Sequence, residues 1–153
     1  MLRHESKHKR LGWFLFIVYL VLLIYMMFFS EELGRVARED YCYNLELFKE
    51  IKRFYVYREQ LGMEAFILNT VGNVAGFVPF GFILPVISWA GKRWYVTFLF
   101  SFLLSLSIEL TQLVLKVGSF DVDDLFLNTL GGILGYAALY VFCLIRRKIY
   151  GVK

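Results

Sequence analysis

The sequence predicts an all-α, polytopic membrane protein: a four-transmembrane-helix bundle with a short amphipathic helix at its outer surface. Three observations carry that class. The 153-residue chain is 59% hydrophobic with mean hydropathy +0.59, above the roughly 45–50% apolar usage of soluble domains. Its apolar residues gather into four blocks, each close to the ~20 residues that cross a bilayer. Charges fall between the blocks, and only Glu109 interrupts one. A transmembrane barrel would show short alternating segments instead.

The elements follow in order. Residues 1–10 form a basic tail before the first apolar run, Leu11–Phe29. That run is too long for a secretory h-region and lacks an A-x-A-like site after it, so it reads as a retained anchor. The outer segment, residues 30–64, places Leu47, Phe48, Ile51, Phe54 and Tyr55 at helical spacing, with Lys49, Lys52 and Arg53 largely elsewhere on the wheel. Such a helix either lies on the membrane surface or packs on the bundle as a lid. Ala65–Ile87 is the second run, and Pro79 and Pro85 within it should kink or thin the helix. A short connection containing Trp89, Lys92, Arg93, Trp94 and Tyr95 suits a membrane interface. Tyr95–Leu115 is the third run. After "KVGSFDVDD", where Asp123 or Asp124 could cap the next helix, comes the fourth, Leu125–Ile145. Residues 146–153 close the chain as a second basic tail, leaving 11–145 as one membrane domain.

Lys and Arg placement orients the bundle. The two tails and the second connection hold ten basic residues against the single acid Glu5, while the opposite side holds seven basic residues and eleven acids. Both termini are therefore expected in the cytoplasm. The pI near 9.1 reflects this anchoring and does not point to nucleic acid. Cys42 falls outside and Cys143 near the inner end of the last run, too far apart to pair.

A phrase recurs. "LNTVGNVAGF", Leu68–Phe77, returns as "LNTLGGILGY", Leu127–Tyr136. Both copies lie in the outer half of runs that cross in the same direction, the pattern of a parallel repeat. Gly72 with Gly76, and Gly131 with Gly135, clear small-residue stripes for helix packing. Asn69, Asn73 and Asn128 bring amides that need partners in hydrocarbon. The third run adds Glu109 and Gln112 on one face. At 1.5 Å per residue, Asn73, Glu109 and Asn128 each lie roughly 6–12 Å below the outer boundary, with Asp121, Asp123 and Asp124 at the rim. Strongly polar side chains other than hydroxyls thus gather at the outer end. An ionisable group inside a span is a functional candidate by default. Glu109 must be protonated, hydrated, cation-bound or paired from the rim by Lys116.

These residues resemble those of the VanZ-like membrane proteins. The combination "IELTQ…GSFDVDDLFLNTLGGILGY" is similar to that family's signature, and "LNTVGNVAGFVPFGFILP" to its other hallmark. "NLELF" is similar to a segment before the second span, although Leu47 stands where Pro is common. Lys116 stands in a loop where many members have Arg. The resemblance covers roughly Asn44 to Tyr136. It implies a bacterial cytoplasmic-membrane location and a theme of cell-envelope lipids or lipid-bearing antibiotics, with teicoplanin resistance the association behind the name.

Three function classes fit. The preferred one is a non-enzymatic binder or modulator. Its outward polar cavity, lined by Asn69, Asn73, Glu109, Gln112 and Asn128 with the rim acids Asp121, Asp123 and Asp124, would take a lipid-linked envelope molecule or a lipoglycopeptide. Membrane lipids are its other expected partners. A divalent cation at the rim is conceivable, since Mg²⁺ and Ca²⁺ favour such oxygens; helix caps are the preferred reading of these acids, and no dedicated metal site is assigned. The second class is an intramembrane enzyme using Glu109 as general base, without a Ser/His or Cys/His pair to help. The third is a small oligomeric transporter or scaffold.

Overall fold

The computed structural model describes residues 2–29 and 39–151, with side chains from residue 10 onward except that of residue 150. The start of the outer segment, residues 30–38, and the extreme ends of both basic tails lie outside the described residues. The elements are α1 (Leu2–Phe29), β1 (Tyr43–Asn44), α2 (Lys49–Val56), α3 (Arg58–Leu61), α4 (Met63–Ile87), α5 (Trp94–Leu115), β2 (Phe120–Asp121) and α6 (Val122–Tyr150). A single 3₁₀ turn, Ala90–Lys92, joins α4 to α5.

Among the described residues four helices are long and apolar enough to cross a membrane: Arg10–Phe29, Met63–Ile87, Trp94–Leu115 and Val122–Ile149. They extend the four apolar runs by a few residues, because the flanking residues continue each helix past its hydrocarbon-matched part. α1 begins well before the first run, so the basic tail from Leu2 is helical. Pro79 and Pro85 do not interrupt α4, which runs through both to Ile87. Near the first of them, the Tyr19 hydroxyl of α1 donates to the Gly76 carbonyl at 2.8 Å.

Packing is set by backbone approach. α4 and α6 form the most extensive helix pair, α6 also packs on α5, and α1 lies against α4. A Cβ on Gly131 would stand 2.2 Å from the Val74 carbonyl oxygen, and one on Gly135 2.0 Å from that of Val78. Gly81 and Gly132 face each other, a Cβ on the former falling 1.8 Å from the latter's carbonyl oxygen. Only glycine fits such contacts, and they give dispersion where lipid offers no hydrophobic drive. The other predicted stripe behaves differently. Gly76 faces Leu23 and Met27 of α1 at 3.8 Å, and among the described residues nothing lies within 4 Å of a Cβ placed on Gly72. The repeated phrase therefore recurs in sequence without recurring in surroundings. Two apolar clusters complete the core: Leu23, Met27, Phe77 and Ile108, and Phe16, Phe80 and Ile87. Large side chains such as Phe14, Val21 and Tyr25 of α1 stay exposed, 63%, 62% and 61%, as a lipid-facing surface requires.

At one end the outer segment folds onto the bundle. β1 and β2 pair in parallel, Tyr43 with Phe120 and Asn44 with Asp121. α2 follows and docks near α4 and α6 through rings, Phe48 against Phe126 at 5.5 Å and Tyr55 against Phe66 at 6.2 Å. The predicted amphipathic helix thus exists, begins at Lys49 because Phe48 adopts a left-handed conformation with φ 66°, and packs as a lid.

Candidate functional site: a buried polar cluster at one end of the bundle

α5 turns one polar face inward. Thr97, Ser101, Ser105, Glu109 and Gln112 are spaced four, four, four and three residues apart, and each is fully buried. That spacing keeps all five on one helix face. Asn128 of α6 and Asp121 of β2 bond to this face, and Thr129 and Asp123 of α6 and Asn73 of α4 are buried as well. The hydroxyls of this file were not among the sequence-derived candidates. Their signal was the four-residue recurrence of small polar residues in an otherwise apolar helix.

The cluster is held by specific hydrogen bonds. Glu109 Oε2 accepts the Asp121 backbone N–H at 2.9 Å. Asp121 Oδ1 accepts the Asp123 N–H at 2.8 Å, the N-cap of α6, and the Asn44 amide at 3.1 Å. Asp123 reaches away from its own helix to cap α2. One of its oxygens accepts the Phe48 N–H, and the other accepts Glu50 N–H at 2.8 Å and Ile51 N–H at 3.2 Å. The Asn73 amide donates to Asp124 at 2.5 Å. The Asn128 amide donates to Ser105 Oγ at 3.0 Å, and that of Gln112 to the Met27 carbonyl of α1 at 2.7 Å. Burial pushes the Asp121 carboxyl above its ordinary pKa; the Asp123 N–H and Asn44 amide pull against this, while the neighbouring carboxylates of Asp123 and Glu50 reinforce it.

The candidates therefore divide. Glu109, Asp121 and Asp123 form one continuous chain of bonds reaching the lid. Asn73 with Asp124, Asn128 with Ser105, and Gln112 with Met27 join helices around it. Asn69 turns its amide back to the Ala65 carbonyl of its own helix at 3.0 Å. Lys116 donates to the Glu39 carbonyl at 2.6 Å and stands over the Tyr41 ring at 4.7 Å. Among the described residues no three His, Cys, Asp or Glu side chains converge as a metal ligand set. The rim carboxylates instead engage backbone and amide donors.

What the cluster leaves over is mostly acceptor. Buried Gln112 Oε1, Asn128 Oδ1 and Ser101 Oγ have no hydrogen-bond partner among the described residues. Gln112 must direct its nitrogen at the Met27 carbonyl, which fixes its oxygen as the spare atom. Buried acceptors without donors are costly, so each calls for a donor beyond those of the described residues.

Four membrane-spanning helices around a buried, acceptor-rich polar cluster, with a capped helical lid, define a multi-pass membrane protein. A VanZ/LLP1 family model matches residues 16–145, and the chain belongs to that family. It is 31% identical over 121 residues to Protein VanZ of Enterococcus faecium, a match covering 77% of this chain and 66% of that protein. The chain thus spans just under two thirds of the length of that relative. No solved structure matches it.

Proposed function

We propose that the polar cluster is a ligand site beneath the lid at the outer face of a bacterial cytoplasmic membrane, and that it binds the donor-bearing part of a lipid-linked envelope molecule or a lipoglycopeptide. The chain acts as a binder or modulator, with glycopeptide (teicoplanin) resistance as the phenotype that its family membership brings forward. The carrying observation is the acceptor surplus. The amide donors of Asn73, Gln112 and Asn128 are already spent on protein acceptors, while the side-chain carbonyl oxygens of Gln112 and Asn128 have no partner among the described residues. Sugar hydroxyls or an ammonium group complement such a surface; a bare phosphate does not. The polar end faces outward because the basic tails and second connection hold the other side inside.

Glu109→Gln tests the site. Gln keeps the shape and can still accept the Asp121 N–H, but it cannot ionise. Glu109→Leu removes the polar group as well. The Gln variant should insert at normal abundance and lose retained ligand, measured by mass spectrometry of gently purified protein, together with any teicoplanin tolerance. A Gln variant equal to wild type beside an unstable Leu variant would reduce Glu109 to a helix lock.

A further inference from the structure

The opposite end of the bundle carries a groove that the polar cluster does not use. α1, α4 and α5 surround about 550 Å³ there, within the roughly 300–1,000 Å³ of typical ligand pockets. Phe16, Phe80 and Ile87 are its buried floor, and Trp13 and Phe100 are half-exposed walls. The connection after α4 is clamped at its mouth. A Cβ on Gly91 would lie 2.8 Å from the Leu84 carbonyl oxygen, and the Thr97 hydroxyl donates to the Gly91 carbonyl at 3.0 Å. This clamp holds Trp89 at the mouth, with the Arg93 guanidinium 5.5 Å from its ring centroid.

Among the described side chains near this mouth the charges are basic. Arg10 stands three residues before Trp13, on the same side of α1. Neither α1 from Arg10 onward nor the stretch 88–108 contains an acid, and α6 has none after Asp124. An apolar floor under a mouth flanked by Arg93 and Arg10 matches a ligand with a hydrocarbon chain and an anionic head. A soluble anion would leave the floor empty, and a neutral lipid would leave the cations unanswered.

We propose that this groove holds one anionic glycerophospholipid from the leaflet at the basic end, its acyl chain along Phe16, Phe80 and Ile87 and its phosphate at Arg93. The site is separate from the polar cluster and independent of its role.

Tryptophan quenching by brominated acyl chains reads it directly. The three tryptophans are Trp13, Trp89 and Trp94; in a Trp94→Phe background the two groove residues alone report. The protein is reconstituted in phosphatidylcholine vesicles containing the same minor fraction of brominated phosphatidylglycerol or brominated phosphatidylcholine. The anionic lipid should quench about fivefold more effectively, the bias that one basic residue near a membrane surface supplies. Arg93→Gln should bring the ratio close to one. The double variant Arg146→Gln, Arg147→Gln, which removes charge from the tail away from the groove, should leave the ratio intact. Equal quenching by the two lipids in the parent, or an equal fall in both sets of variants, overturns the proposal, the second outcome indicating diffuse attraction. Glycerol phosphate should not displace the lipid; if it does, the phosphate binds without the groove and the proposal fails.

Discussion

A single carboxylate, Asp123, fastens the lid, and its geometry sets what mutation should do. Its two oxygens accept three backbone N–H groups at the start of α2, and one of them belongs to Phe48 in its left-handed conformation. Such a backbone persists only where its surroundings over-determine it. Asp123→Ala should therefore free α2 without unfolding the spans, at a cost of about 2 kcal/mol, in the range of a lost cap or charged hydrogen bond. Amide exchange at Glu50 and Ile51 should speed by roughly 30-fold, read by hydrogen exchange with mass spectrometry; unchanged exchange there would show that ring packing alone holds the lid. Asp121 predicts a pH effect. Its folded pKa is raised, chiefly by burial, so the folded chain holds that proton to higher pH than the unfolded chain. Its contribution to stability is present below the unfolded value and is lost as pH rises through the folded one. Asp121→Asn keeps an acceptor for the Asp123 N–H and cannot titrate. It should remove this part of the fall in stability as pH rises, measured as thermal unfolding in detergent across acidic pH.

At the level of elements, the α4–α6 contact is where sequence was partly readable. The small-residue stripes were visible in the repeated phrase, and so was their purpose. Which glycines meet a neighbour was not, because helix rotation is fixed by all partners together. Gly131 and Gly135 found carbonyls of α4, Gly76 found α1, and the closest pair, Gly81 with Gly132, joins residues from outside the stripes. The amides behaved in the same way. Their depth was legible from counting residues, yet Asn69 bonds within its own helix while Asn128 reaches Ser105, a hydroxyl that composition alone does not single out. Gly132→Ala would press a methyl to 2.0 Å from Ser101 Oγ, and Gly135→Ala to 2.0 Å from the Val78 oxygen. Each should lower stability by about 1–3 kcal/mol, the usual cost of overpacking. Gly72→Ala meets nothing among the described residues and should be neutral or stabilise by up to ~1 kcal/mol through helix propensity. Unfolding of the three variants in one detergent checks the order; a destabilised Gly72→Ala beside a tolerant Gly132→Ala would reverse the assigned packing.

For the whole molecule, the four spans were legible because hydrocarbon thickness imposes a length and an apolar composition that no soluble fold needs. The lid was legible only as an amphipathic pattern, since the partner that docks it, Asp123, lies 75 residues from Phe48 along the chain. Orientation rests on charge placement and carries the last prediction. With four spans, the tails and the Lys92–Arg93 connection share one side, and the outer segment, the Asp121–Asp124 rim and the polar cluster lie toward the other. If the basic side is cytoplasmic, Cys42 faces outward and Cys143, near the far end of α6, faces the cytoplasm. Both are free thiols, Cys42 partly buried and Cys143 exposed. An impermeant maleimide applied to intact cells, or to spheroplasts where a wall obstructs it, should label the Cys143→Ser variant through Cys42 and should not label Cys42→Ser until lysis. A denatured control corrects for the partial burial of Cys42. Labelling of Cys42→Ser before lysis, with Cys143→Ser protected until the membrane is opened, would place the polar cluster on the cytoplasmic side and exclude an extracellular lipoglycopeptide as its direct ligand.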